Sequence, residues 1–129
     1  MSISPPISLY TEKDMLQMNM FELENERNLI TKKINMNKHE KTLCRGRVFM
    51  GNEIIEWLDE NYQKDSNDET HEFFIFTALP DYLEHELNYL NAVIQDTSNS
   101  NNLLNLRRHE IQKEIKGLKV QLNALDENV

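Results

Sequence analysis

Apolar residues recur at alternating steps of three and four in two stretches of this chain, one towards each end. In the first, Leu16, Met20, Leu23, Arg27, Ile30 and Ile34 follow one another in that rhythm. In the second, the run is Leu104, Arg108, Ile111, Ile115, Leu118, Leu122, Leu125 and Val129. Such spacing draws one narrow apolar seam along a helix, the pattern by which helices pair. A shorter run, Leu83, Leu87, Leu90 and Ile94, keeps steps of four, three and four.

The predicted elements follow from where this pattern starts and stops. Met1 to Tyr10 holds Pro5-Pro6 and several serines and reads as a flexible tail or docking strand. Thr11 is placed to cap a helix, with Glu12 and Asp14 in its positively polarised first turn. That helix has no Gly or Pro to interrupt it before Lys41. Gly46 and Gly51 bracket Arg47 to Met50, a short strand or turn. Asn52 then caps a helix to Tyr62 whose buried face is Ile54, Ile55, Trp57 and Leu58. Gln63 to Thr70 reads as a loop, and Phe73 to Phe76 suits either a buried strand or a buried helical turn. Pro80 fits the first turn of a new helix that runs to about Gln95. Thr97 to Asn102, small and polar throughout, reads as a helix–helix connection. The last helix spans Leu103 to Asp126, with Gly117 at an outer heptad position.

The fold class so predicted is all-α or nearly so, with four helices over 11–41, 52–62, 80–95 and 103–126. The N- and C-terminal helices are long and coiled-coil-like, and the middle has room for one short strand or hairpin. Its organisation is a flexible tail over 1–10, a helical domain over 11–96 and a coiled-coil-like helix over 103–129. Low Gly and Pro content, three of each, agrees with this and disfavours a turn-rich β chain.

Charge changes the picture in two ways. The formal net charge of −8 disfavours nonspecific binding to nucleic acid or to an anionic membrane. The charge is also segregated. Lys32 to Arg47 carries six basic residues against Glu40 alone, and Glu53 to Glu72 carries eight acidic residues against Lys64 alone. The basic block has only Phe49 at its edge, whereas a nucleic-acid site interleaves several aromatics with its basic residues. A single cysteine, Cys44, allows no internal disulfide and fits a reducing compartment. With no basic, apolar leader pattern at Met1 and no run of ~20 apolar residues, the expected location is intracellular, cytoplasmic or nuclear.

Candidate chemistry is sparse. Each histidine is followed by glutamate, at His39, His71, His85 and His109, but none has a second histidine four residues on. The ligand pair of a zinc-protease helix is therefore not formed. Cys44 lies beside the basic residues Arg45 and Arg47, so a small enzyme using Cys44 is one reading. No phosphate-cradling glycine loop, dinucleotide fingerprint or calcium loop occurs. No cofactor, metal or catalytic residue is therefore expected.

Two resemblances are visible. Arg47-Val48-Phe49-Met50-Gly51-Asn52-Glu53-Ile54-Ile55-Glu56-Trp57-Leu58 resembles a stretch of DEP domains, over about a tenth of the chain. That resemblance implies a small winged-helix-like recognition module for nucleic acid or a membrane-proximal signalling partner. Separately, a long helix, a Gly-bracketed segment and a C-terminal coil are similar in outline to prefoldin subunits, apart from Pro80 and the polar run at Thr97 to Asn102. Neither resemblance assigns a functional residue. The expectation is a noncatalytic helical adaptor or complex subunit that binds protein partners, or itself, by helix pairing. Its partner-binding residues are Leu16, Met20, Leu23, Ile30, Ile34, Leu104, Ile111, Ile115, Leu118, Leu122 and Leu125, with Arg107, Glu114 and Lys119 on the flanks to tune register.

Overall fold

Thr11 opens the first helix by a reciprocal cap. Its hydroxyl accepts a hydrogen bond from the Asp14 amide at 3.1 Å, and the Asp14 carboxylate accepts one from the Thr11 amide at 3.1 Å. Two otherwise orphaned amides are satisfied, and the carboxylate sits where the helix dipole favours it. The helix that follows, α1, runs unbroken over Glu12–Asn61. A second, α2, runs over Leu79–Glu127, with Pro80 in its first turn as predicted. The structure is a computed structural model that describes residues 10–61 and 78–127. The loop at Gln63 to Thr70, the run Phe73 to Phe76, Val129 and all of the tail before Tyr10 lie outside the described residues.

Among the described residues two long helices stand where four were predicted, and no strand occurs there. The break at Gly46–Gly51 is absent because the heptad phase does not slip there. From Leu16 to Leu58, every seventh residue faces inward: Leu16, Leu23, Ile30, Asn37, Cys44, Gly51 and Leu58. Each glycine costs about 1 kcal/mol of helix propensity, less than packing of the flanking turns contributes. The break at Thr97–Asn102 is absent for the same reason. Leu83, Leu90, Thr97, Leu104, Ile111, Leu118 and Leu125 hold the phase along α2. The polar side chains there bond to their own helix: Ser98 donates to the Ile94 carbonyl at 2.9 Å, and Gln95 donates to Asn99 at 3.0 Å.

The chain divides into two units, residues 1–35 with 102–129, and residues 36–101. In the first unit, Leu23, Ile30, Ile34, Ile111, Ile115 and Leu118 form one core, with Leu16, Met20 and Leu104 packed against it. Lys13 pairs with Asp126 at 2.9 Å, and Arg27 donates to Gln112 at 2.8 Å. Two heptads forward on α1 therefore match two heptads back on α2, an antiparallel pair. The second unit keeps the same arithmetic by itself. Asn37 donates to Asn101 at 2.8 Å, and, two heptads on, Gly51 faces Leu87.

Candidate interaction surface

With Leu16 and Leu118 as d positions and Met20 and Leu122 as a positions, every a and d residue from Leu16 to Leu58 and from Leu83 to Leu125 is buried or half-buried. Within each unit this is the seam of an antiparallel helix pair. The sequence placed partner-binding residues on it. Leu23, Ile30, Ile34, Ile111, Ile115, Leu118 and Leu122 are buried, and Leu16, Met20, Leu104 and Leu125 are half-buried. In the first unit their cover is the chain's own opposite helix.

The seam is not uniformly apolar. Asn37, Thr97 and Asn101 are buried in it, and the Asn37 amide bridges to Asn101 and, at 3.4 Å, to the Ser100 hydroxyl. A buried asparagine pair is satisfied only when it is opposed, so it favours one register over its neighbours. Among the described residues, no buried side-chain nitrogen or oxygen lacks a hydrogen-bond partner. Gly51 provides a hole for a knob: a Cβ built there would lie 2.8 Å from a methyl of Leu87.

On the flank of the first unit, Arg107 binds Glu26 through both guanidinium arms, at 2.9 and 3.0 Å. Both residues are g positions, which face each other in an antiparallel pair. Hydrogen bonding to Arg107 holds the Glu26 carboxyl below its usual range, and hydrogen bonding to Asp126 holds the Lys13 ammonium above its own. Glu114 stands 3.9 Å from Arg107, and Lys119 is exposed.

The surface that sequence reasoning missed lies outside the seam. On α1, Leu29, Met36, Leu43, Met50 and Trp57 stand seven residues apart at c positions, each more than half exposed. Phe21 and Phe49 are exposed on the neighbouring b positions. On α2, Tyr82 and Tyr89 repeat the c position and are exposed, and Leu103, Leu106 and Val120 are also uncovered. The signal is present in the sequence as a seven-residue step, but the local pattern places Ile54 and Trp57 on the buried face of a short helix and Phe49 in a short strand or turn. Trp57 is exposed, as is Ile54.

Candidate chemistry fares as follows. Cys44 is buried at a d position. No three His, Cys, Asp or Glu side chains gather to hold a metal ion among the described residues. The DEP-like stretch Arg47–Leu58 is continuous helix inside α1, so the winged-helix module that resemblance implies is not formed there. Among the described residues no helix is long and apolar enough to cross a membrane. The class the geometry defines is, within each unit, an antiparallel pair of α1 and α2 segments. Comparison with protein families, with characterised proteins and with solved structures finds no match to this chain.

Proposed function

We propose that this chain is a noncatalytic helical adaptor or subunit of a multiprotein complex, binding other proteins by helix pairing. One observation carries the reading. Among the described residues, sixteen large apolar side chains are exposed against eleven buried hydrophobic ones, and on α1 the exposed ones keep a helical step. Isolated apolar residues on a surface are ordinary, but a periodic stripe is a face that another helix covers. Covering one large apolar side chain fully contributes roughly 1.5–3 kcal/mol. On this reading the a/d seam builds the scaffold, and the outward positions receive partners.

The test is recovery of the tagged full chain from its native source under mild conditions. A different protein should co-purify at fixed stoichiometry. Phe21→Ser with Phe49→Ser, two exposed positions, should release it while leaving helicity unchanged by circular dichroism. Recovery of the chain without any companion, at low and high salt alike, would overturn the proposal.

A further inference from the structure

Two arginines stand in the seam of the first unit. Arg27 and Arg108 both fall at a positions, among the leucines and isoleucines of its core, and both are half-buried. A charge partly removed from water favours a counter-charge nearby. Arg107, next to Arg108 on the g flank, has Glu26. Among the described residues neither Arg27 nor Arg108 pairs with a carboxylate. That is so in a chain with 22 acidic residues against 14 lysines and arginines. Their hydrogen-bond partners are neutral. Arg27 donates to the Gln112 side-chain oxygen at 2.8 Å, and Arg108 donates to Asn105 at 2.8 Å and to the Thr31 hydroxyl at 3.4 Å. The Thr31 hydroxyl gives its own proton to the Arg27 carbonyl at 3.0 Å, so it meets Arg108 as an acceptor.

The two guanidiniums open on the same cavity. It measures 330 Å³, and among the described residues it is lined by Arg27, Asn105, Arg108, His109 and Gln112. Donors dominate it. Of a guanidinium's five N–H groups, Arg27 commits one and Arg108 two to the bonds above. Asn105 and Gln112 turn their oxygens to the arginines, which leaves their amide N–H groups for a ligand. We propose that this cavity binds a phosphate-type dianion, bridged between Arg27 and Arg108. Charge selects the ligand, because two neighbouring cations with no acid paired to them are neutralised by a dianion. Shape selects it too. A carboxylate has two oxygens and fills one guanidinium fork, whereas a tetrahedral oxyanion has oxygens for two. Since each helix supplies one arginine, the bound ion ties α1 to α2 within this unit.

The inference does not depend on whether other proteins bind, and its failure would leave the co-purification test standing. Inorganic phosphate is the probe. Its phosphorus NMR line, recorded with the full chain at an ionic strength held constant with chloride, should broaden saturably with a Kd of about 1 mM or tighter, as two charge-assisted contacts give. Sulfate should displace it, and acetate at the same concentration should not. Glycerol phosphate separates a carried phosphate group from the free ion: tighter binding than inorganic phosphate assigns the site to a phosphomonoester, and weaker binding assigns it to the ion itself. Arg27→Gln and Arg108→Gln should each weaken binding by about 10-fold or more. Should either lose helicity by circular dichroism, Arg27→Lys and Arg108→Lys, which keep the charge and lose the fork, should still weaken it. Lys113→Gln removes the same charge from an exposed position outside the cavity and should leave binding unchanged. Absence of saturable binding to the wild type, equal displacement by acetate, folded arginine variants that bind as the wild type does, or an equal loss in Lys113→Gln would each overturn the proposal.

Discussion

The two units use the same coil geometry with different residues inside it. In the first, the seam is branched and aliphatic: Ile34, Ile111 and Ile115 are at most 1% exposed, and seven buried hydrophobic residues lie in this unit. Its flank is stapled by Glu26 with Arg107 and by Lys13 with Asp126. In the second, four buried hydrophobic residues, Cys44, Leu58, Leu87 and Leu90, share the seam with Asn37, Thr97, Asn101 and Gly51. No ion pair joins its helices among the described residues, and its outer face carries Met36, Leu43, Met50, Trp57, Tyr82 and Tyr89. The comparison teaches that an unbroken helical phase is compatible with two purposes. The first unit fills its seam with aliphatic side chains, where they stabilise. The second relies on register-setting polar and small residues inside, and each unit leaves eight large apolar side chains exposed among the described residues.

The contrast is broken most severely by charging the aliphatic seam. Leu118→Asp with Leu122→Asp puts two carboxylates into a buried stretch of the first unit, where desolvation of an unpaired charge is not compensated. The variant should lose cooperative folding, seen as collapse of the helical circular-dichroism signal. Retention of the wild-type melting temperature would mean that this seam is not a core.

The polar layer of the second unit gives the next effect. Asn37→Ala removes the amide donor to Asn101 and should cost about 1–3 kcal/mol in denaturant unfolding. Asn37→Leu with Asn101→Leu should recover much of that loss, since two apolar side chains then face each other in place of a broken pair. A double variant less stable than Asn37→Ala would show that the asparagines contribute more than a satisfied bond and a register.

Gly51 and Gly117 sharpen the comparison at a single atom. Gly51→Val drives side-chain atoms into Leu87 and should destabilise by about 1–3 kcal/mol, partly relieved by Leu87→Ala. Gly117→Ala meets nothing within 4 Å and should instead stabilise by up to about 1 kcal/mol, through helix propensity alone. Equal effects at the two glycines, measured by thermal melting, would deny that Gly51 is a packing hole.

The smallest effect is the exposed ion pair. The Glu26 carboxyl titrates below its unfolded value because Arg107 donates to it. Its stabilisation is therefore fully present above the ordinary carboxylate pKa of about 4.3 and is lost as pH falls through the lowered folded value. The melting temperatures of wild type and Arg107→Leu should differ slightly at neutral pH and converge in acid. A gap that persists unchanged in acid would assign the effect to packing of the Arg107 stem instead.

Much of this fold was legible in the residue pattern. The aliphatic runs Leu16–Ile34 and Leu104–Leu125 declared themselves because Leu and Ile mark a and d positions by hydrophobicity alone. Thr11, Asp14 and Pro80 declared helix starts because caps are local chemistry. Trp57 was misread, because a lone tryptophan in a short presumed helix looks like an anchor, whereas in a long helix its position relative to Leu58 turns it outward. What the amino-acid order determined by itself was thus helicity, the phase of the two aliphatic seams and the caps that start them. Tertiary structure decided that Gly46, Gly51 and the Thr97–Asn102 run remain helical. The helix propensity of glycine, asparagine and serine is too weak to hold those turns alone. They stay helical because Asn37 meets Asn101 and Gly51 receives Leu87, contacts between residues far apart in the chain.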